Sequence, residues 1–244
     1  MNQITEQMLN HTSIRKYTDE PITQEQVDTI VQCAQMASTS SHFQAYSIIE
    51  VRDPAKREVL KECSGGQKWT VTAPLVLLFC ADLHRSGKYF DGIDKDVLTN
   101  TECYTVAVID AALAAQNAFT AAESMGLGGV IVGGIRNDVQ KLIDTFELPE
   151  QVAPLFALCL GHPDDNPGLK PRLPQAVVHK IDTYTEEGND ELMEEYNARV
   201  KDYYTERTKG KNTNTWSQQC GQLMMAKTRD EVGYVLRERG FLAR

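Results

Sequence analysis

The sequence predicts a globular protein built from layers of α-helices and β-strands, and three observations support this prediction. The chain has 244 residues, and its hydrophobic fraction of 41% is enough for the core of one large domain or two small ones. Several short apolar runs have the length and composition of strands, and segments with helical periodicity separate them. No internal repeat or low-complexity segment is evident, so a solenoid or a fibrous protein is excluded.

The first third of the chain already alternates between the two kinds of element. An amphipathic segment begins near Asn2, and a helix follows Thr23, which has Gln26 at the capping-box position. A further helix from Pro54 follows a short strand at 46–51. The next predicted strand, residues 74–82, is apolar up to its last residue, Asp82.

The remaining elements surround a long alanine-rich segment, residues 101–125, which is apolar on more than one face and therefore predicts a buried central helix. Gly126 follows it at a helix-ending position. The sequence then predicts, in order, a β-branched strand at 128–134, a helix at 137–146, a buried strand at 153–161 and, in a polar tail, a helix at 190–207.

Charge and composition exclude several classes of partner. The net charge is −9 and the charges are scattered, which argues against nucleic acid as a partner. The longest apolar run, residues 73–81, is about half of what a membrane-spanning helix needs, and the amino terminus has no signal pattern. The six cysteines form no C-x-x-C pair. We therefore expect a cytoplasmic protein with reduced, mostly buried thiols and no cysteine nucleophile.

Three separated clusters contain the cations, hydroxyls and glycines that hold phosphorylated cofactors: residues 11–15 (HTSIR), residues 128–136 and Lys170-Pro171-Arg172. The glycine run does not have the G-x-G-x-x-G spacing of a dinucleotide-binding turn, which disfavours a Rossmann dehydrogenase. Instead, a short strand ending in two glycines offers backbone N–H groups without side chains to keep a flat ring away. The alternative for each cluster is that it forms only a solvated loop or a tight turn and binds no cofactor.

Together these segments resemble the nitroreductase family, in its flavin reductase P and major oxygen-insensitive nitroreductase branch, along nearly the whole chain. The matching pieces are H-x-S-I-R (11–15), A-S-T-S-S (37–41), Q-A-Y-S-I-I (44–49), G-G-Q (65–67), A-A-x-A-A-Q-N (111–117), A-A-E-S-M-G-L-G (121–128), G-G-I-R-N (133–137), P-L-F-x-L-C-L-G (154–161), K-P-R-L-P (170–174), E-R-T-K-G-K (206–211) and T-W-S (215–217).

The resemblance implies an α+β, three-layer fold with a central mixed, mostly antiparallel sheet flanked by helices, in an intertwined homodimer. It implies an FMN-binding core over 1–180 and a C-terminal arm over 181–244 that wraps the partner subunit. FMN would lie at the dimer interface, NADPH or NADH would be the reductant, and no metal ion is expected. NADPH is the favoured nucleotide.

The resemblance also assigns site residues. Arg15 matches the position at the flavin pyrimidine edge, where a fixed positive charge tunes the reduced cofactor, while the flavin itself does the chemistry. Arg207 matches a position associated with the NADPH 2′-phosphate. The other positions assigned to cofactor binding are His11, Thr12, Ser13, Ser40, Ser41, Gln67, Ile131, Val132, Gly133, Gly134, Lys170 and Arg172, of which His11, Ser13, Lys170 and Arg172 match the phosphate grip.

Two residues depart from the family pattern. Thr12 stands where the family commonly has Arg, so any contact of that guanidinium is missing or supplied elsewhere. His42 stands where an aromatic or aliphatic residue is common near the substrate face, and it bears on which acceptors fit.

The implied activity is a two-electron, ping-pong hydride transfer from NAD(P)H through FMN to small-molecule acceptors such as nitroaromatics, quinones or free flavin. Two alternatives stay open: a flavin reductase that supplies reduced FMN to a partner, and a flavin-binding protein without turnover.

Overall fold

Four antiparallel strands form the central sheet of the protein, whose structure is a computed structural model describing residues 2–243. In the order along the sheet they are β1 (Tyr46–Glu50), β2 (Leu75–Asp82), β4 (Val152–Gly161) and β3 (Gly128–Val132). All eight residues of β2 are buried, so β2 and β4 form the middle of the sheet. A parallel bridge between Ser13 and Gly129 adds the mixed component at the β3 edge.

Helices cover both faces of this sheet, and the alternation of β2 decides which face each residue serves. Leu77 and Phe79 belong to a core shared with α2 (Gln24–Gln35) and α6 (Thr101–Ser124). The intervening Leu78 belongs to a second core, shared with α3 (Pro54–Cys63) and α7 (Val139–Phe146). The structure is thus the predicted three-layer α+β arrangement.

Helix α6 is the central helix that the alanine-rich segment predicts. Its small residues Ala107, Ala111 and Ala114 are fully buried, which lets α2 and the sheet approach closely. Among residues 2–243, α6 alone is long and apolar enough to cross a membrane by length and composition, but half of that window is buried inside the fold. The packing shows that it is a core helix.

Shorter helices complete the larger of two compact units, which comprises residues 1–167 and 229–244. Helix α1 covers Gln3–Leu9 and has no buried residue. The others are α4 (Trp69–Thr72), α5 (His84–Tyr89) and α11 (Glu231–Glu238), with 3₁₀ helices at Ser40–His42, Lys95–Thr99 and Gly133–Asn137.

The smaller unit comprises residues 168–228 and contains α8 (Gln175–Val178), α9 (Asn189–Arg207) and α10 (Trp216–Ala226). Its small core centres on Tyr196, whose ring meets Trp216 edge-on at 5.9 Å. Asn197 and Ser217 join α9 to α10 by hydrogen bonds, with Ser217 N donating to Asn197 Oδ1 at 3.0 Å.

Three predictions from the sequence can be compared with the structure. The capping box of Thr23 and Gln26 is confirmed. The strand predicted at 128–134 is wrong at its end: it stops at Val132, and a 3₁₀ helix begins at Gly133. Cys63, Cys80 and Cys159 are free and buried, whereas Cys33, Cys103 and Cys220 are partly exposed; burial raises the pKa of the Cys80 and Cys159 thiols to about 12.

The compact units divide the chain differently from the predicted boundary between residues 180 and 181. The last segment groups with the larger unit because Phe241 is fully buried against the ring of Tyr104, at 5.1 Å. Backbone bonds fix it there: Gln151 N donates to Arg239 O at 2.9 Å, and Ala243 N donates to Thr99 O at 2.8 Å.

Candidate functional site

The segment from His11 to Arg15 lies along the first residues of β3. Ile14 N donates to Gly129 O at 2.8 Å, and the Ile14 side chain is buried. A Cβ on Gly128 would lie only 2.6 Å from Ile14 Cγ1, so the strand must carry glycine there for the segment to come this close. The edge of the sheet therefore fixes the register of His11, Ser13 and Arg15.

His11 is oriented by a residue near the end of α6. Its Nδ1 lies 2.6 Å from Glu123 Oε1, and its ring meets Phe119 edge-on at 5.1 Å. With Nδ1 donating to the carboxylate, Nε2 is the ring nitrogen left to face a ligand. Thr12 and Ser13 follow as half-buried residues.

Arg15 presents an exposed guanidinium at this edge. Its Cζ lies 5.5 Å from the centre of the Trp69 ring, and its Nη1 donates to Ser13 O at 3.3 Å. A guanidinium stacked on an aromatic face keeps its charge and its donors directed outward. Tyr17 lies beside it, and burial, opposed in part by the Arg15 charge, raises the pKa of that phenol.

The other end of β3 meets Gln67. Ile131 is 41% exposed on the strand while Val132 is buried, and the chain then turns at Gly133 and Gly134. A Cβ on Gly134 would lie 2.4 Å from Gln67 Nε2 and 3.1 Å from Ser64 O. The Gln67 amide, which donates to Ser64 O at 3.1 Å, therefore lies directly against the glycine backbone.

A second guanidinium supports the turn after β3. Arg136 Nη1 donates to Leu155 O of β4, and a Cβ on Gly133 would lie 3.2 Å from Arg136 Nη1. Burial lowers the pKa of the Arg136 guanidinium from its usual value, and the nearby Arg229 adds to that shift. Arg229 is itself tied to this unit, since its Nε donates to Asn137 Oδ1 at 2.9 Å.

The loop at Ser40–His42 is held by α6. Asp110 is fully buried, and its two carboxylate oxygens accept from Ser40 N and Ala45 N, each at 3.0 Å. The loop backbone is unusual: Ser41 and His42 both have positive φ, 46° and 60°. Such conformations are costly for non-glycine residues and persist when surrounding contacts hold them. The His42 side chain is exposed.

Lys170 and Arg172 lie in the smaller unit and are both exposed. The Lys170 ammonium lies 5.3 Å from the centre of the Tyr204 ring. A pocket of about 370 Å³ lies at this segment, lined by Lys170, Pro171, Arg172, Leu173, Val178, Tyr196 and Trp216. Two cations over aromatic walls make this a place where an anion with an organic body can bind.

Arg207 also belongs to the smaller unit, at the last turn of α9. It is exposed, its Cζ lies 5.7 Å from the Tyr203 ring centre, and its guanidinium donates to the Tyr203 hydroxyl. The hydroxyl of Tyr203, four residues earlier on the same helix, therefore orients the Arg207 guanidinium.

The structure gathers three of the sequence-predicted segments around one strand: His11–Arg15, Gln67 and Ile131–Gly134 all lie on or against β3. The hydrogen bonds of Ser40 run instead to α6, and Lys170, Arg172 and Arg207 belong to the other unit.

Sequence reasoning missed three residues of this site. Glu123 had a signal, because a carboxylate in the last turn of a helix opposes the helix dipole. Asp110 had one as well, as the only charge within the apolar run VAVIDAALAA. Trp69 had none, since its partner Arg15 is 54 positions away.

A glycine-bordered strand edge with amide, guanidinium and imidazole groups around it has the chemistry to hold a flat anionic cofactor. The family comparisons agree with this class. The Nitroreductase family model matches residues 8–162, and the model of the family's C-terminal domain matches residues 170–244. The chain belongs to the nitroreductase family.

Particular relatives resemble the chain over nearly its full length. It is 44% identical over 246 residues to an FMN reductase (NADPH) of Bacillus subtilis, covering 99% of each chain. A solved nitroreductase structure from B. subtilis has a TM-score of 0.95 at 43% identity, covering 99% of this chain and 100% of that one. The NADPH:FMN oxidoreductase of Vibrio harveyi, solved with NAD⁺, has a TM-score of 0.90 at 38% identity, with both chains fully covered.

Proposed function

We propose that this protein is an FMN-dependent NAD(P)H oxidoreductase that reduces nitroaromatics, quinones or flavins. The observation that carries the proposal is the convergence on β3 of an oriented imidazole, an exposed guanidinium and an amide packed on bare glycine backbone. Relatives named as NADPH-dependent FMN reductases and oxidoreductases support the same activity.

The residues present fit FMN. Gly134 is buried and lets the Gln67 amide lie against the turn, while the partly exposed Gly133 and Ile131, which is 41% exposed, leave this edge accessible to a flat ring. His11, Ser13, Lys170 and Arg172 are proposed as contacts of the FMN phosphate, and Arg15 is proposed as a contact of the pyrimidine edge. When bound, FMN accepts a hydride from NAD(P)H and passes two electrons to an acceptor.

The chain's own contribution is placement and charge. Ile131, Val132, Gly133 and Gly134 are proposed to present backbone to one edge of the ring. The fixed charge of Arg15 favours binding of an electron-rich ring, and Gln67 offers an amide to its polar rim. No general acid or base is assigned, because the cofactor supplies the chemistry.

Arg207 is proposed to contact the 2′-phosphate of NADPH. Its support is the exposed guanidinium held by Tyr203, a geometry that leaves donors available to a phosphate. The names of an FMN reductase (NADPH) and an NADPH:FMN oxidoreductase among the relatives support NADPH as a reductant.

We propose a homodimer because one helical surface carries apolar residues that this chain does not cover. Helix α1 buries nothing, and Gln7 of α1 bonds to Thr120 O of α6 at 2.8 Å. The apolar residues exposed on these two helices, each between 44% and 62%, are Ile4, Met8, Leu9, Ile109 and Leu113. Contiguous exposed apolar patches mark association sites.

The chain beyond residue 180 is proposed to serve as an arm toward the partner. Residues 181–228 are the part proposed for this role, because the segment from Arg229 onward belongs to the larger compact unit. We place the protein in the cytoplasm, where reduced thiols and NAD(P)H are available.

Turnover with a panel of acceptors tests the proposal. We expect the FMN-loaded protein to oxidise NADPH with a nitrofuran and with a naphthoquinone. A flavin reductase that serves a partner would instead prefer free FMN over both compounds in kcat/KM. A protein that holds FMN but oxidises NADPH with none of the three is the non-catalytic alternative, and this result would overturn the proposal.

A further inference from the structure

The loop from Ser40 to Gln44, here called the His42 loop, has a backbone that its own sequence does not favour. Ser41, His42 and Gln44 have φ of 46°, 60° and 52°, so three of its five residues lie in the left-handed region without being glycine. The hydrogen bonds that the loop makes locally are few: Phe43 N donates to Ser40 O at 2.8 Å, His42 N donates to Thr39 O at 3.5 Å, and the exposed Gln44 amide lies 3.4 Å from His42 O and 3.3 Å from His42 Nε2. Contacts from outside must therefore hold this conformation.

A buried carboxylate holds the N–H side of the loop. Asp110 of α6 is 0% exposed, and one oxygen accepts from Ser40 N while the other accepts from Ala45 N. The two donors stand at the first residue of the loop and just beyond its last. A single rigid side chain on the core helix thus fixes both ends at once, by bonds that are stronger because the acceptor is charged.

A guanidinium holds the C=O side. Arg85 of α5 donates through Nη2 to Gln44 O and Tyr46 O, each at 2.6 Å. Arg85 is in turn anchored by Asp82, which accepts from Arg85 N at 3.0 Å and lies 3.5 Å from Nη1. The loop is therefore clamped between an anion that takes its N–H groups and a cation that takes its carbonyls.

We infer that Asp110 and Arg85 are positioning residues that set the place of His42 and thereby the range of acceptors the enzyme reduces. Neither residue is among the proposed cofactor contacts. The inference rests on the proposed function, and it takes the His42 loop to border the acceptor, as the family resemblance implies for position 42. A loop without the clamp relaxes out of its left-handed backbone, and a displacement of about 1 Å at a reacting site is enough to change rates severalfold to a hundredfold.

Replacing Asp110 by Asn tests the clamp with little change of shape. The amide oxygen still accepts one N–H, but the amide nitrogen is a donor and faces the second N–H. Arg85→Lys keeps the charge but replaces the planar guanidinium, whose Nη2 reaches both carbonyls, by a shorter side chain that ends in an ammonium. Asp28→Asn and Arg52→Lys, at exposed positions, are the matched controls.

The first readout is hydrogen exchange of the His42 loop by mass spectrometry, which needs no turnover. Asp110→Asn and Arg85→Lys are each expected to speed exchange in this loop by about tenfold while the β2 and β4 peptides stay protected. The controls should match the parent protein. Unchanged exchange in both clamp variants would overturn the clamp, whether or not the proposed function holds.

The second readout is selectivity, measured as the ratio of kcat/KM for a two-ring quinone to that for a nitrofuran. Each clamp variant is expected to change this ratio by about tenfold when it is compared with the parent protein at equal FMN content. In a double-mutant cycle, His42→Ala should add little to Asp110→Asn, since both act at the same place. An unchanged ratio would show that the clamp serves the fold alone, and independent, multiplying effects would show that the clamp does not act through His42; either result would overturn the inference. If the parent protein has no turnover, the proposed function fails and only the exchange result is decided.

Discussion

At the scale of single residues, the site depends on partners that pair across long stretches of sequence. Glu123 is the clearest case, because its carboxylate stands in the last turn of α6, where the helix dipole disfavours an anion by about 0.3–1 kcal/mol. Its contact with His11, at 2.6 Å, offsets that cost and fixes the imidazole ring. A charged residue at a locally unfavourable position that makes one specific contact indicates that the position serves that contact.

The Glu123→Gln variant tests this pairing. We expect its FMN dissociation constant to rise by about tenfold, because the loss of a charge-assisted hydrogen bond leaves the His11 ring free to turn. Quenching of FMN fluorescence on titration into the apoprotein measures this. Glu102→Gln, an exposed acid in the first turn of the same helix, is the control. Equal affinities in the two variants would separate Glu123 from cofactor binding.

The Gly134→Ala variant tests the contact between the β3 turn and Gln67. A methyl group 2.4 Å from Gln67 Nε2 and 3.1 Å from Ser64 O forces the amide away, so we expect weaker FMN binding and a loss of about 1–3 kcal/mol in unfolding free energy. Gly221→Ala is the matched control, since a Cβ there meets nothing within 4 Å. Calorimetry of both variants checks the stability change. If Gly134→Ala were as stable as Gly221→Ala and bound as much FMN, the turn would have room for a methyl group and the prediction would be wrong.

At the level of secondary structure, sequence periodicity predicts the helices and strands whose formation depends on nearby residues. The four strands, the helices over 101–125 and 190–207 and the Thr23 cap follow from alternation, apolar stripes and capping residues. Helices α4, α5 and α8 were missed because four to six residues are too few to show a period. The β3 end was placed two residues late, since Gly133 and Gly134 continue a strand composition but turn in the fold.

The candidate site was predictable only in part. Resemblance supplied the segments on β3, but Asp110 and Glu123 are defined by contacts 65 or more positions away that no local pattern encodes. Helix α10 had a readable signal, the Thr215 and Gln218 capping box, at the edge of a stretch whose polarity favoured a loop.

The C-terminal segment gives a prediction at the same scale. Phe241 is fully buried in the core that also contains α6 and β2, so Phe241→Ala should lower the unfolding free energy by about 3–5 kcal/mol. Tyr234→Ala, at a residue 64% exposed, should change it little. Urea unfolding followed by tryptophan fluorescence compares them. A small effect at Phe241 would mean that the last residues are a detachable tail.

At the scale of the whole molecule, the proposed dimer accounts for the apolar surface of α1 and α6. Ile109→Asp places a charge on that surface, and burying it against a partner should weaken association by about a hundredfold. Gln140→Asp, on the exposed side of α7 across the sheet, is the control. Sedimentation velocity at several concentrations reports the assembly state. Ile109→Asp protein that stays as dimeric as the control would place the interface elsewhere.

We expect the β3 site to hold FMN and NADPH to reduce it. The most direct test is the visible spectrum of the purified protein, followed by anaerobic mixing with NADPH in a stopped-flow instrument. We expect flavin absorbance close to one FMN per chain that bleaches on mixing, and slower bleaching in Arg207→Ala. A colourless protein that neither binds added FMN nor consumes NADPH would contradict the account, and only the fold would remain.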